Sequence, residues 1–337
     1  MNLPTVWFVI VAFFWTGFFV LEGFDFGVGA LHKIVGRTDT ERRVAINTIG
    51  PVWDGNEVWL IVAGASMFAA FPNWYASWFS ALYLALWLLL AALIVRGVSF
   101  EFRGKFAAPA WRRTWGWTLT VGSLLAPLLI GVGLGDLLAG LPINADGDFT
   151  GTFLDLLTPF GLVLGVTLLT LCLQHGCAFL TLRATGPVLD RAHALLRRLG
   201  LPAAALVLIV VVWMVVLAGP GGWGILAVAV PAVAVVLAAA AGLSGRSAGI
   251  IFAATAVTIG GVVAALFVCL YPTLLVSTTD PAYSLTVANS SSSPYSLQVM
   301  TIAAAVLVPI VLLYQGWTYY VFRRRVTAGP ATSTVAA

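Results

Sequence analysis

Long apolar runs follow one another along almost the whole chain. A helix needs about 20 apolar residues to cross the roughly 30 Å hydrocarbon core of a bilayer. Nine stretches meet this requirement, at 4–32, 47–71, 75–95, 115–135, 157–182, 202–218, 223–243, 249–276 and 298–322. Backbone polar groups in lipid must be satisfied within their own segment, so each run is predicted to be helical. The pattern predicts an all-α polytopic membrane protein with one transmembrane domain over residues 1–325 and a disordered tail over 326–337.

Composition supports the same class. Hydrophobic residues make up 61% of the 337 residues and charged residues only 9%, against roughly 25% charged residues in soluble globular domains. So few charges cannot cover a water-facing surface, which excludes an ordinary soluble protein. Cys172, Cys177 and Cys269 lie in apolar runs and are expected to be buried free thiols without a disulfide or a metal site.

The distribution of cations predicts the orientation. All 17 Lys and Arg residues fall in or beside every second connection between the nine runs or directly after the last run. They are Lys33, Arg37, Arg42, Arg43, Arg96, Arg103, Lys105, Arg112, Arg113, Arg183, Arg191, Arg197, Arg198, Arg246, Arg323, Arg324 and Arg325. Cytoplasmic loops carry an excess of Lys and Arg, so the N-terminus is predicted outside and the C-terminus in the cytoplasm. Cations spread over loop ends also argue against a nucleic-acid partner.

Four acidic residues lie inside the predicted spans: Glu22, Asp25, Asp54 and Glu57. Within each pair the spacing is three residues, which places both side chains on one helix face. Asp25 and Asp54 are both predicted about 10 Å below the cytoplasmic surface, with Glu22 and Glu57 about 5 Å deeper. Four close carboxylates cannot all remain ionised in a low dielectric. The hypothesis is a cytoplasmic proton path, and the alternative is a satisfied polar contact between helices.

The residues around these acids indicate close helix packing and a local distortion. Gly23 and Gly27 form a face of small residues on which a neighbouring helix can approach. Pro51 cannot donate a backbone hydrogen bond, so the second span is predicted to kink one turn before the acids. Trp53, Asn56 and Trp59 flank the acids of this span and are predicted to line the polar site.

One histidine, His175, lies within a predicted span, between Gln174 and Cys177. A buried low-spin haem needs two strong axial ligands, and no second histidine or methionine stands opposite it. The favoured interpretation is a packed, hydrogen-bonded histidine. The chain is therefore expected to bind no metal or haem directly, and no complete catalytic site is expected in it.

Several segments together resemble cytochrome bd quinol oxidase subunit II over nearly the whole chain. The most specific segment is Gly50-Pro51-Val52-Trp53-Asp54-Gly55-Asn56-Glu57-Val58-Trp59, after Leu21-Glu22-Gly23-Phe24-Asp25-Phe26-Gly27-Val28-Gly29 and Thr40-Glu41-Arg42-Arg43. Similar segments follow at Phe102-Arg103-Gly104-Lys105, Pro159-Phe160-Gly161, Asn289 to Ser293 and Val299-Met300-Thr301. The family's subunit has nine spans with the N-terminus outside, in agreement with the charge distribution.

The resemblance implies a function in a complex of a bacterial cell membrane that oxidises quinol and reduces dioxygen to water. In that family haems b and d belong to the partner, subunit I, while the second subunit is a haem-free scaffold that contributes a cytoplasmic proton path. The family's acids match Asp25 and Asp54 most securely. The position of Glu22 is acidic in relatives, and that of Glu57 can be Gln. Some members hold a structural quinone in this subunit, and some complexes carry small accessory subunits.

Two other functions compete with this interpretation. A proton-coupled secondary transporter would place its acids near the bilayer midplane in two related halves of the chain, whereas the acids within these spans occupy the first two runs. A membrane-embedded hydrolase or transferase would need a nucleophile paired with a base, and no such pairing is visible around His175.

Overall fold

The computed structural model describes residues 2–219, 222–244 and 247–327. Its helices are α1 (Leu3–Val35), α2 (Asp39–Ile49), α3 (Trp53–Ala70), α4 (Pro72–Ala81), α5 (Tyr83–Phe102), α6 (Pro109–Ala139), α7 (Pro159–Arg183), α8 (Pro187–Ala218), α9 (Gly222–Leu243), α10 (Ala248–Leu270), α11 (Val287–Ser290) and α12 (Pro294–Val321). Two short strands, β1 (Thr273–Leu275) and β2 (Leu285–Thr286), and two 3₁₀-helices, Phe153–Leu156 and Pro281–Tyr283, complete the regular structure of this part of the chain.

The predicted class of helical, multi-pass membrane protein is confirmed. Eight helices in the described ranges are long and apolar enough to cross a membrane, namely α1, α5, α6, α7, α8, α9, α10 and α12. The second predicted run contributes α3, a helix of 18 residues whose first turns carry Asp54, Asn56 and Glu57. These polar residues lower the mean hydropathy of α3, so α3 is not among the eight helices that are apolar enough to cross a membrane.

The second predicted span is interrupted where the sequence predicts only a kink. Helix α2 ends at Ile49 and α3 begins at Trp53, with Pro51 in the turn between them. The prediction of one continuous helix over 47–71 is therefore wrong. Pro51 lacks the N–H that a continuing helix would need, and the chain turns instead of bending. Asp54 consequently lies in the first turn of α3 and is exposed.

Helix α2 carries two of the cations assigned to the first connection, Arg42 and Arg43, and an ion pair fixes it to α8. The Thr38 side chain caps α2, and Glu41 completes the capping box. Arg191 on α8 donates to both carboxylate oxygens of Glu41, at 2.8 and 3.2 Å. These hydrogen bonds, with those from the backbone of Thr38 and Arg37, lower the pKa of the Glu41 carboxyl to about 2. Helix α8 thus begins well before the predicted boundary at 202 and includes Arg191.

Helix α1 runs through the centre of the bundle and touches α7 backbone to backbone. A Cβ atom built on Gly27 would lie 2.8 Å from the Cα atom of Gly176 and closer still to the carbonyl oxygen of Cys172. The predicted small-residue face is therefore confirmed at Gly27. At Gly23 the nearest atom is the side-chain end of Ile259, at 3.0 Å, so the approach is less close there.

The long connection between α10 and α12 is ordered. Strands β1 and β2 pair in antiparallel fashion, and α11 follows directly. Ser292 donates its backbone N–H to the carbonyl of Ala70, at 2.8 Å, and its hydroxyl to the carbonyl of Ala69, at 2.7 Å. The Ser-rich segment thus satisfies two carbonyls at the end of α3, which otherwise lack intrahelical partners.

Some predictions fall outside the described residues. They concern Arg246 and the tail from residue 328 onward. Val326, which the sequence assigns to the tail, donates its N–H to the carbonyl of Arg183, at 2.7 Å.

Candidate functional site

Two of the predicted site acids, Glu22 and Asp25, lie on one face of α1 and are completely buried. Their spacing of three residues brings them together, as the sequence predicts. Removing carboxyl groups from water is costly unless charges or hydrogen bonds compensate. The neighbours of these two side chains therefore decide what the site can do.

Arg96 on α5 is the charged neighbour that sequence analysis missed. Its side chain is completely buried, and its Nη2 lies 2.6 Å from Oε1 of Glu22. Its Nη1 lies 3.6 Å from Oε2 of Glu57, and its Nε donates to Oγ of Ser123 at 3.2 Å. The assignment of Arg96 to a surface loop is therefore wrong, because α5 continues to Phe102. The guanidinium supplies a positive charge between the two glutamates.

Asn56 on α3 connects Asp25 to α12. Its Nδ2 donates to Oδ2 of Asp25 at 2.6 Å and to the carbonyl of Leu21 at 3.2 Å. Its Oδ1 accepts from Nε2 of Gln315 at 2.7 Å and from the hydroxyl of Tyr319 at 2.8 Å. Asn56 itself is completely buried. The structure thus places this predicted lining residue at the middle of a polar network that joins α1, α3 and α12.

The two acids of α3 occupy different environments. Asp54 is exposed, whereas the Glu57 side chain is 20% exposed and faces Arg96. The four predicted acids therefore do not form one buried cluster. They range from the exposed Asp54 through the partly exposed Glu57 to the buried Glu22 and Asp25, with Arg96 beside both glutamates.

The tryptophans on either side of these acids pack against two different helices. Trp53 stacks on Phe100 of α5, with ring centroids 4.7 Å apart and planes at 15°. Trp59 is buried and packs against Gly17 of α1 and the ring of Phe14. Trp53 thus closes the α3–α5 seam next to Arg96, and Trp59 closes the α1–α3 seam.

Both ring nitrogens of His175 are occupied within the protein. Nδ1 lies 2.7 Å from the hydroxyl of Thr255, and Nε2 lies 3.1 Å from the carbonyl of Val20. The ring stacks on Phe252, with centroids 4.5 Å apart. This environment does not fit an axial haem ligand, which needs a free nitrogen lone pair directed at the iron. In the described ranges, no group of three His, Cys, Asp or Glu side chains is placed to hold a metal ion.

An apolar groove of about 490 Å³ runs between α3 and α12 and ends near the acid network. Gly55 and Gln315 lie among the residues that line it, with Trp7 and Met300 farther along. Helix α12 is the least covered of the eight spans. In its most apolar stretch of 18 residues 6% of the residues are buried, whereas in α6 the share is 72%. Its exposed side chains include Tyr314 and Trp317. One side of the helical bundle next to the acid network is therefore left open.

Comparison with known sequences yields one family across the chain. The family model for cytochrome bd terminal oxidase subunit II matches residues 3–322. Cytochrome bd ubiquinol oxidase subunit 2 of Bacillus subtilis is 41% identical over 333 residues, 97% of each chain. Cytochrome bd-I ubiquinol oxidase subunit 2 of Escherichia coli K12 is 36% identical over 361 aligned positions, 96% of this chain and 95% of the relative.

Comparison with solved structures shows the same fold in a chain of the bd oxidase from Geobacillus thermodenitrificans. The match has a TM-score of 0.69 and 20% sequence identity, and it covers 96% of this chain and 99% of the other. At this identity the likeness concerns the fold alone.

Proposed function

Since the chain belongs to the cytochrome bd terminal oxidase subunit II family, we propose that it is the haem-free second subunit of a quinol oxidase in a bacterial cell membrane. In this role it scaffolds a haem-bearing subunit I and supplies protons to the oxygen-reduction site there. Quinol and dioxygen are the substrates of the complex. The observation that carries the proton role is the buried network of Glu22, Asp25, Arg96 and Asn56.

The proposed path starts at the exposed Asp54 and proceeds through Glu57 towards Glu22 and Asp25. Intramembrane ionisable residues are rare and usually belong to ion pathways. Arg96 partly compensates the charge of the glutamates, so the site can hold carboxyl groups in lipid without requiring all of them to be neutral. The proposed orientation places this end of the bundle at the cytoplasm, with α3 as a ninth crossing and the N-terminus outside.

The face formed by α12 and the adjacent edge of α3 is proposed as the contact with subunit I. This face is apolar and little covered, and it lies directly beside Asn56, Gln315 and Tyr319. A partner bound there would lie next to the end of the proposed path. A structural quinone and small accessory subunits stay expectations from the family resemblance.

A proton-coupled transporter is the alternative function. Gentle purification of the tagged chain from its native membranes separates the two. A stoichiometric partner and reduced-minus-oxidised haem bands are expected for the oxidase, whereas a colourless protein that works alone would overturn the proposal.

The proton role is tested with Asp25→Asn in the assembled complex. Turnover and proton uptake should fall together while the haem content is preserved. Asp136→Asn is the matched control, because Asp136 on α6 is equally buried but lies near the other end of the bundle. Unchanged proton uptake in Asp25→Asn would reject the path.

A further inference from the structure

The side chain of Asn56 uses its full hydrogen-bonding capacity. An amide side chain offers two N–H donors and two acceptor lone pairs. Asn56 directs both N–H groups at α1, to Asp25 and to the carbonyl of Leu21, and both lone pairs at α12, to Gln315 and Tyr319. Four contacts on a buried side chain leave it a single orientation.

The chemistry of the partners fixes which end of the amide faces Asp25. The nitrogen and oxygen of an amide are interchangeable by a flip, so the network must decide between them. The carbonyl oxygen of Leu21 can only accept, and therefore the atom of Asn56 that faces it must be the nitrogen. This assignment holds whether Asp25 is protonated or ionised.

The orientation of the Asn56 amide also determines which groups of α12 donate hydrogen bonds to it. With the nitrogen facing α1, Oδ1 of Asn56 can only accept, so Tyr319 must donate its hydroxyl proton and Gln315 an amide proton. If either donor is lost, Oδ1 is left buried and only partly satisfied, which favours rotation of the amide. The two residues of α12 thus secure an amide that they share with Asp25.

The two oxygens of Asp25 are therefore not equivalent. Oδ2 accepts from Asn56 at 2.6 Å, whereas Oδ1 is buried and receives no hydrogen bond from an amide, hydroxyl or guanidinium group of the described residues. We infer that Gln315 and Tyr319 are positioning residues that hold Asn56 so that Oδ2 of Asp25 stays an acceptor and Oδ1 gains and releases the proton. This inference rests on the proposed proton path and adds to it a contribution from the helix assigned to the partner contact.

The test uses the assembled oxidase with Tyr319→Phe, Gln315→Leu and the double variant. Tyr319→Phe keeps the ring and removes only the hydroxyl, so it is the variant least able to disturb folding. Each loss should lower turnover about two- to tenfold, as expected for a buried hydrogen bond. The KM for quinol and the haem content should stay unchanged, and the pH profile of turnover should be displaced.

Infrared difference spectroscopy supplies a readout that a purely structural role would not move. The carboxyl C=O band that disappears in Asp25→Asn should shift to higher frequency in the double variant, because its oxygen loses the donor Asn56. Tyr83→Phe is the matched control, since Tyr83 is an exposed tyrosine on α5, outside the network and the α12 face, and its loss of a hydroxyl should leave the band and the pH profile unchanged.

The outcomes separate the two proposals. One outcome is that Asp25→Asn is impaired while the double variant keeps a normal turnover, pH profile and band frequency. This result would overturn the positioning role and leave the proton path intact. If Asp25→Asn also supports normal proton uptake, the path itself fails and the positioning role fails with it.

Discussion

The contact between Gly27 and Gly176 makes a sharp prediction for Gly27→Ala. The added methyl would lie 2.8 Å from the Cα of Gly176, whereas ordinary contacts begin at 3.4 Å. Helices α1 and α7 must therefore separate by at least about 0.6 Å, and by more at the carbonyl of Cys172. Because backbone atoms obstruct the methyl and cannot rotate away, the cost should reach or exceed the upper end of the usual overpacking range of about 1–3 kcal/mol.

The assay is thermal unfolding of the purified complex in mild detergent, followed by the release of haem. Gly27→Ala should lower the midpoint by roughly 5–10 °C. Gly23→Ala should cost much less, because its nearest obstacle is the flexible end of Ile259. Gly249→Ala is the control, since no described residue outside its own helical turn has an atom within 4 Å of the added methyl. A Gly27→Ala complex as stable as the Gly249→Ala complex would refute the close backbone approach.

Three further predictions address charge and backbone strain. Arg96→Met should destabilise the chain by about 3–5 kcal/mol, because Glu22 loses its buried counter-charge, and Glu22→Gln added to it should recover part of the loss in detergent unfolding assays. The Glu41 pair with Arg191 should contribute stability above pH 4.5 that disappears as the pH falls towards 2, because folding lowers the pKa of Glu41; a Glu41→Gln complex whose acid unfolding matches the wild type would contradict this. Gly140 has a φ of 92° and a ψ of 152°, a backbone region essentially restricted to glycine, so Gly140→Ala should cost about 1–3 kcal/mol, and an unchanged unfolding midpoint would count against that strain.

The apolar pattern predicts the class of fold and most helices because lipid imposes a length and a hydrogen-bonding rule that each helix satisfies alone. It also places Glu22 and Asp25 together, since their spacing depends only on helix geometry. The break at Pro51 does not follow from the sequence, because a proline in a membrane helix can either bend or end it, and neighbouring helices decide the outcome.

Arg96 could not be placed from local pattern alone. An arginine one residue beyond an apolar run is usually a charge at the membrane surface. The apolar residues that follow it, Gly97 and Val98, were the available signal that the helix continues. Its pairing with Glu22 depends on the distance between α1 and α5, which no sequence spacing encodes.

The sparse attachment of α12 has a practical consequence for handling the isolated subunit. In the isolated subunit the groove of about 490 Å³ beside α3 is open to the acyl chains of lipid and detergent alike, and little apolar contact within the subunit holds the helix in place. Strong delipidation should therefore detach the segment 294–321 before the rest of the bundle unfolds, and limited proteolysis would then cut first in the connection at 291–293.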